Sequence, residues 1–129
     1  MLTAERFLLR WQSSSLCVGS IDSAGNVYVV ERGNYRVQVF TSEGEFLRKW
    51  GSKGDGAGQF GILFAIAVDG VGNVYVTDSW HLPQVFDSGG RFLTEIRAET
   101  STFMPRWSGI AIDDTGNVYV TSGCATFSD

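Results

Sequence analysis

Short antiparallel strands gathered into repeated four-stranded sheets are what this sequence predicts, and three observations predict it. The pentapeptide Gly-Asn-Val-Tyr-Val occurs three times, at Gly25–Val29, Gly72–Val76 and Gly116–Val120, at offsets of 47 and 44 residues. A repeat at such a period marks one supersecondary unit copied along the chain. Within a unit the apolar runs are short, rich in Val, Ile, Tyr and Phe, and bounded by Asp, Ser, Gly and Asn, which is the pattern of strands and turns. Sixteen glycines stand against two prolines in 129 residues, and no 3.6-residue apolar period runs through the chain.

The elements follow in order. Phe7-Leu8-Leu9-Arg10-Trp11 mirrors Phe46-Leu47-Arg48-Lys49-Trp50, so residues 1–16 are assigned to a preceding unit, with 5–11 as its outer strand. The first complete unit spans 17–60, with strands expected at Val18–Ile21, Asn26–Val30, Arg36–Phe40 and Glu45–Trp50. Its opening strand, Cys17-Val18-Gly19-Ser20-Ile21, is less apolar than its counterparts, and irregular packing is expected there. The second unit, 61–105, repeats the order at Phe64–Val68, Asn73–Thr77, Gln84–Phe86 and Arg91–Ile96. Pro83 offers no N–H and should weaken pairing at the third of these. The third unit, 106–129, holds only two strands, because a third would begin at about residue 128.

Each pentapeptide follows an Asp, at Asp22, Asp69 and Asp113, and Asp-x-x-Gly is hairpin chemistry. The Asp accepts from the backbone that follows, and the Gly takes positive φ. A lone four-stranded meander cannot cover both faces, so units of this length stack face to face around an axis. The predicted fold is an all-β propeller with four-stranded antiparallel blades.

These residues resemble the NHL-repeat propellers, whose unit reads Gly-Ile-Ala-Val-Asp, then Gly-Asn-hydrophobic-Tyr-Val, then Asn-x-Arg-Val-Gln-Val-Phe. Asn34, Arg36, Val37, Gln38, Val39 and Phe40 match the third-strand signature. Trp50-Gly51-Ser52, followed by Gly54, Gly56, Gly58, Gln59 and Phe60, is similar to the family's interblade loop, and the resemblance covers nearly the whole chain. It implies a six-bladed ring. Roles in that family range from scaffold and ligand-binding domains to a metal-dependent amidating lyase and RNA binders, so the resemblance implies fold rather than function. The second unit departs from the pattern, since Ser79-Trp80-His81-Leu82-Pro83 is one residue shorter than its counterpart and lacks the Asn-x-Arg element. Strands expected at one, four, four and two per unit fall short of the ~24 of a six-bladed ring. The arc is therefore expected to belong to a longer propeller, or to close as a homodimer of half-rings whose joint blades each lack a third strand.

Ten Lys and Arg against fourteen Asp and Glu, a net charge of −4, oppose a nucleic-acid partner. The most apolar stretch, Phe60–Val68, is far shorter than the ~20 residues of a membrane span. Glu5, Arg6, Arg10 and Gln12 interrupt any secretory signal. Cys17 and Cys124 stand apart without a C-x-x-C or a His cluster, so neither a disulfide framework nor a zinc module is expected, and the compartment stays open.

Strand alternation places the loops after the second and fourth strands of each blade on one face: Glu31–Tyr35, Gly51–Leu63, Asp78–Leu82 and Arg97–Trp107. Arg32, Asn34, Tyr35, Trp80, His81 and Trp107 are the candidate contact residues, because Arg and amphipathic aromatics combine contact area with hydrogen bonding. Packing between blades is the competing reading for Trp80 and Trp107. His81 is the only His, and with Asp78 it falls short of three zinc ligands. The turns at Asp69–Gly72 and Asp113–Gly116 supply too few oxygens for a calcium loop. Gly54, Gly56 and Gly58 lack the Lys-Ser/Thr ending of a phosphate loop. Ser79, His81 and Asp78 share one short loop, a poor start for triad geometry. The expected function is a non-catalytic module that binds a protein or small ligand through this loop face, with no cofactor and no metal. The alternative is a fragment of a six-bladed propeller enzyme, a metal-dependent lyase or lactonase-like hydrolase, whose catalytic ligands lie outside this chain.

Overall fold

The structure is a computed structural model that describes residues 17–96 and 107–122, with backbone alone at 17, 18, 107, 108, 121 and 122. The outer strand expected at 5–11, most of the loop at 97–107 and the third strand expected near residue 128 lie outside the described residues.

Hairpin turns set the architecture. At the first, the Asp22 carbonyl accepts the Gly25 N–H at 3.0 Å, and the Asp22 N–H donates to the Asn26 carbonyl at 3.0 Å. Gly25 sits at φ +90°. Asp22 Oδ1 accepts the Ala24 and Asn26 N–H groups, each at 2.9 Å. This is a type I turn closed by a glycine bulge, whose twist suits the flanking strands. The same carbonyl-to-Gly bond recurs at Thr41, Asp69, Asp87 and Asp113. The repeated Tyr finishes the unit, because the Tyr28, Tyr75 and Tyr119 hydroxyls donate to Oδ2 of Asp22, Asp69 and Asp113 at 3.0–3.1 Å. Gly, Asn and Tyr of the pentapeptide thus all serve the Asp of their own hairpin.

Ten strands result among the described residues: β1 (Cys17–Ile21), β2 (Val27–Glu31), β3 (Arg36–Phe40), β4 (Phe46–Trp50), β5 (Leu63–Val68), β6 (Val74–Asp78), β7 (Gln84–Phe86), β8 (Phe92–Glu95), β9 (Trp107–Ile112) and β10 (Val118–Ser122). They form two four-stranded antiparallel meanders, β1-β2-β3-β4 and β5-β6-β7-β8, and a pair, β9-β10. Strands β2 and β6 start one residue later than the sequence suggests and end one later, because Asn26 and Asn73 donate their N–H groups to the turn Asp. The irregularity expected of β1 does not show in its pairing, which runs unbroken from Cys17↔Glu31 to Ile21↔Val27. Register shifts lie instead in β5 between Leu63 and Ala65, in β3 between Val39 and Phe40, in β7 between Val85 and Phe86, and in β10 between Thr121 and Ser122. After Pro83, β7 is cut to three residues, against five in β3.

Strand β5 lies against β1 and β2 of the first sheet, and β9 against β5 and β6 of the second, so the sheets follow one another around an axis. The core forms between the first two. Tyr28, Val30, Val37 and Val39 interleave with Phe60, Leu63, Ile66, Val74, Val76 and Phe86. All five residues of β2 are buried, as expected of a strand covered on both faces, whereas β4 and β8 are mostly exposed. No helix among the described residues is long and apolar enough to cross a membrane.

Candidate binding cleft on the loop face

Residues 51–62 join β4 to β5 and brace themselves. The Phe60 N–H donates to the Ser52 carbonyl at 2.8 Å, and the Gly54 N–H to the Phe60 carbonyl at 3.2 Å. Gln59 Oε1 accepts the Gly56 N–H at 3.0 Å. Phe60 is fully buried against Phe86, with ring centroids 5.8 Å apart. Buried Gln84 of β7 ties the loop to the second sheet: its Oε1 accepts the Gly58 N–H at 2.8 Å, and its Nε2 donates to the Gln59 carbonyl at 2.9 Å. A loop held at both its base and its middle is a preorganised wall.

The loop from Ser79 to Pro83 meets that wall. Asp78, 2% exposed, accepts three hydrogen bonds there. Its Oδ2 takes the Gly61 N–H at 2.6 Å and His81 Nδ1 at 2.7 Å, and its Oδ1 takes the His81 N–H at 2.9 Å. With its proton on Nδ1, the His81 ring donates to this carboxylate. Ser79 Oγ accepts the Ile62 N–H at 2.9 Å, a second tie between the two loops. Trp80 is left standing out, 55% exposed, with its indole against Gly61. A Cβ at Gly61 would come within 2.6 Å of Trp80 Cγ, so only glycine lets the indole lie down there. Between the two loops lies a cleft of about 650 Å³ lined by Lys53, Gly54, Asp55 and Trp80.

The candidate residues divide around this cleft. Trp80 lines it. Tyr35 adjoins it, since the Lys53 ammonium lies 5.5 Å from the Tyr35 ring centroid. Arg32 works as a pin between blades: its Nε donates to the Leu63 carbonyl at 2.7 Å, and its guanidinium lies 5.0 Å from the Phe64 ring centroid. Asn34 is exposed in the 3-10 turn Arg32–Asn34. The His81 side chain is only 6% exposed, so it holds the loop from beneath rather than offering a contact, and its Nε2 is buried without a hydrogen-bond partner among the described residues. Trp107 opens β9, its backbone opposite Ser122. Sequence reasoning missed Lys53 and Asp55, although the charged pair amid the glycines of the interblade loop was a signal for them. It also passed over Asp78 as an organiser of the loop.

On the opposite face the hairpin turns converge on a depression of about 300 Å³, where Ile21, Val68 and Ile112 meet Asp22, Asp69 and Asp113. These carboxylates are already committed. Burial raises the Asp22 carboxyl, but the Asn26 N–H, the Asn26 amide, the Tyr28 hydroxyl and the Ala24 N–H outweigh it and hold it below its ordinary value. The Asn117 N–H, ahead of the Asn117 amide and the Thr115 and Tyr119 hydroxyls, holds Asp113 well below the usual carboxylate range against a smaller burial effect. Burial, followed by donation to these carboxylates, pushes the Tyr28 and Tyr75 phenols up. Oxygens so engaged do not fit a cation, and no group of three His, Cys, Asp or Glu side chains among the described residues is placed to hold one.

Among solved structures the chain is similar to a gluconolactonase from Xanthomonas campestris, at 20% identity and a TM-score of 0.59, covering 81% of this chain and 34% of that one. It is also similar to a protein of unknown function from Bacteroides caccae, at 16% identity and a TM-score of 0.56, covering 88% of this chain and 40% of that one. The fold is a partial β-propeller. At these identities the likeness extends to fold alone, and the chain spans about a third of the length of the gluconolactonase. No family model matches the sequence, and no curated protein matches it.

Proposed function

We propose that the chain is a segment of an NHL-type, six-bladed propeller that acts as a recognition module through its loop face, without chemistry of its own. The observation that carries this reading is the half-exposed Trp80 indole, laid on Gly61 and flanked by Lys53 and Asp55 on a self-braced loop. A large amphipathic ring held half in water at the edge of a braced cleft suits a binding hot spot. The rest of a longer propeller, or a second copy, would complete the ring.

A second reading is favoured by the likeness to a gluconolactonase: a fragment of a propeller enzyme whose ligand sits on the axis, with catalytic groups supplied by other blades. Fragment screening by two-dimensional amide NMR separates the two. Hits that shift Lys53, Gly54, Asp55 and the Trp80 indole support the recognition module. Hits confined to Ile21, Val68 and Ile112 at the axial depression would overturn it in favour of the enzyme fragment.

A further inference from the structure

We infer that the free edge of β10 is a docking site for one extended peptide strand carrying a Gln-Val-Phe triplet, which adds antiparallel to Val118–Val120 as the third strand of the third sheet. The strand comes from a polypeptide segment outside these 129 residues. The site is separate from the Trp80 cleft, so either can fail alone.

The chain itself shows what this edge takes. The triplet Val-Tyr-Val lies in β2, β6 and β10, as Val27–Val29, Val74–Val76 and Val118–Val120. In the first two sheets it is central, and its partner on the outer side is the same both times. Val27, Tyr28 and Val29 face Phe40, Val39 and Gln38 of β3. Val74, Tyr75 and Val76 face Phe86, Val85 and Gln84 of β7. An antiparallel Gln-Val-Phe, held in one register, is therefore the complement this protein uses for Val-Tyr-Val. Among the described residues β10 pairs with β9 alone, which leaves its other edge open to a strand. Arg36 of β3 faces Glu31, whose counterpart in β10 is Ser122, so a basic residue ahead of the triplet is not selected.

Exposure follows the cover each copy receives. Val27, Val29, Val74 and Val76 are buried, whereas Val118 and Val120 are half-buried. Tyr28, in the core between the first two sheets, is 1% exposed, Tyr75, on the strand that lies against β9, is half-buried, and Tyr119 is 56% exposed. An apolar strand of this kind suits the middle of a sheet. The outer strands β4 and β8 differ, because Arg48 and Lys49 in one and Glu95 in the other put charge along the edge, which discourages a further strand. Both Gln-Val-Phe triplets of the chain are already held between two strands, β3 between β2 and β4, and β7 between β6 and β8. A second intact copy has none to give, which assigns the strand to another segment. Main-chain hydrogen bonds would supply its affinity, and the alternating side chains its register.

The test titrates the whole 129-residue chain with a capped peptide, Ala-Val-Gln-Val-Phe-Thr, read by NMR. Saturable shifts at the Val118, Tyr119 and Val120 amides are expected, with cross-peaks that set the peptide's Phe opposite Val118 and its Gln opposite Val120. A scrambled peptide, and one with Pro for the Val of the triplet, should each bind about tenfold more weakly or worse. The fourth-strand sequence Phe-Leu-Arg-Lys-Trp should not bind at this edge. Tyr119→Lys sets a charge opposite the peptide's Val and should weaken binding about threefold or more, whereas Leu47→Lys on β4 and Leu93→Lys on β8 should leave it unchanged. The proposal is overturned if the scrambled peptide binds as well, if cross-peaks place the peptide on β4 or β8 or in another register, or if no shift occurs at millimolar peptide. Self-association that protects Val118–Val120 and that the peptide does not reverse would also overturn it, in favour of a second copy. Fragment hits at Trp80 test the recognition module separately and are unaffected by any of these results.

Discussion

Asp78→Asn isolates the joint that presents Trp80. The substitution keeps shape and volume but replaces two accepting oxygens by one oxygen and one amide that only donates. Three donors converge on the native carboxylate: the Gly61 N–H, the His81 N–H and His81 Nδ1. If the amide oxygen takes the Oδ2 position, it retains Gly61 and His81 Nδ1 and turns its NH2 against the His81 N–H. The opposite orientation retains only the His81 N–H and sets the NH2 against both the Gly61 N–H and His81 Nδ1, so the first costs less. In that first orientation one backbone donor in a buried setting loses its partner, at ~1–3 kcal/mol, and the two retained bonds lose charge assistance worth about 1 kcal/mol each. Relief from burying an ionised carboxylate offsets part of this, so the net destabilisation should be about 3 kcal/mol. Urea unfolding should show it as a midpoint lowered by about 2 M for a slope near 1.5 kcal/mol/M. A double-mutant cycle with His81→Ala should return a coupling above about 1 kcal/mol. A variant within about 0.5 kcal/mol of the parent would refute the view that this carboxylate organises the loop.

Other outcomes follow from the same geometry. Gly61→Ala drives a methyl into Trp80 Cγ at 2.6 Å and should cost about 1–3 kcal/mol while displacing the indole; an unmoved Trp80 N–H resonance would contradict the packing. Arg32→Lys loses a guanidinium bond to the Leu63 carbonyl and a stack on Phe64, about 1–2 kcal/mol together, and equal unfolding midpoints would show that Arg32 does not pin the blades. The turn carboxylates make stability acid-sensitive. Asp22, Asp87 and Asp113 titrate below their unfolded value near 3.8, so their contribution is complete above about pH 4 and is lost as pH falls through the folded values. Thermal melts from pH 7 to pH 2 should fall mainly below pH 4, less steeply in the triple Asp→Asn variant, and a parallel fall in that variant would remove the turns from the explanation.

The local features of this protein are written in its sequence, because each is closed within a few residues. A turn from Asp22 to Gly25, its Asn26 donor and its Tyr28 hydroxyl lie within one hairpin, so the repeat that displays them also displays the strands and the propeller built from them. Strand ends slipped by one where an Asn reads equally as strand or turn until its N–H is seen to be taken by the Asp. The two faces were legible too, since alternating strands dictate which loops share an end. What those loops do was not. His81 and Arg32 read as exposed contact residues, yet one is drawn inward by Asp78 and the other is pinned to Leu63, 31 positions away. Lys53 and Asp55 read as linker, yet Gln84 ties their loop to another blade across 25 and 26 positions. Bonds of that reach depend on how one sheet stacks on the next, which composition and spacing do not encode. The tertiary structure alone decided which side chains are consumed in holding the blades together, and so which ones, Trp80 and Asp55 among them, are left exposed.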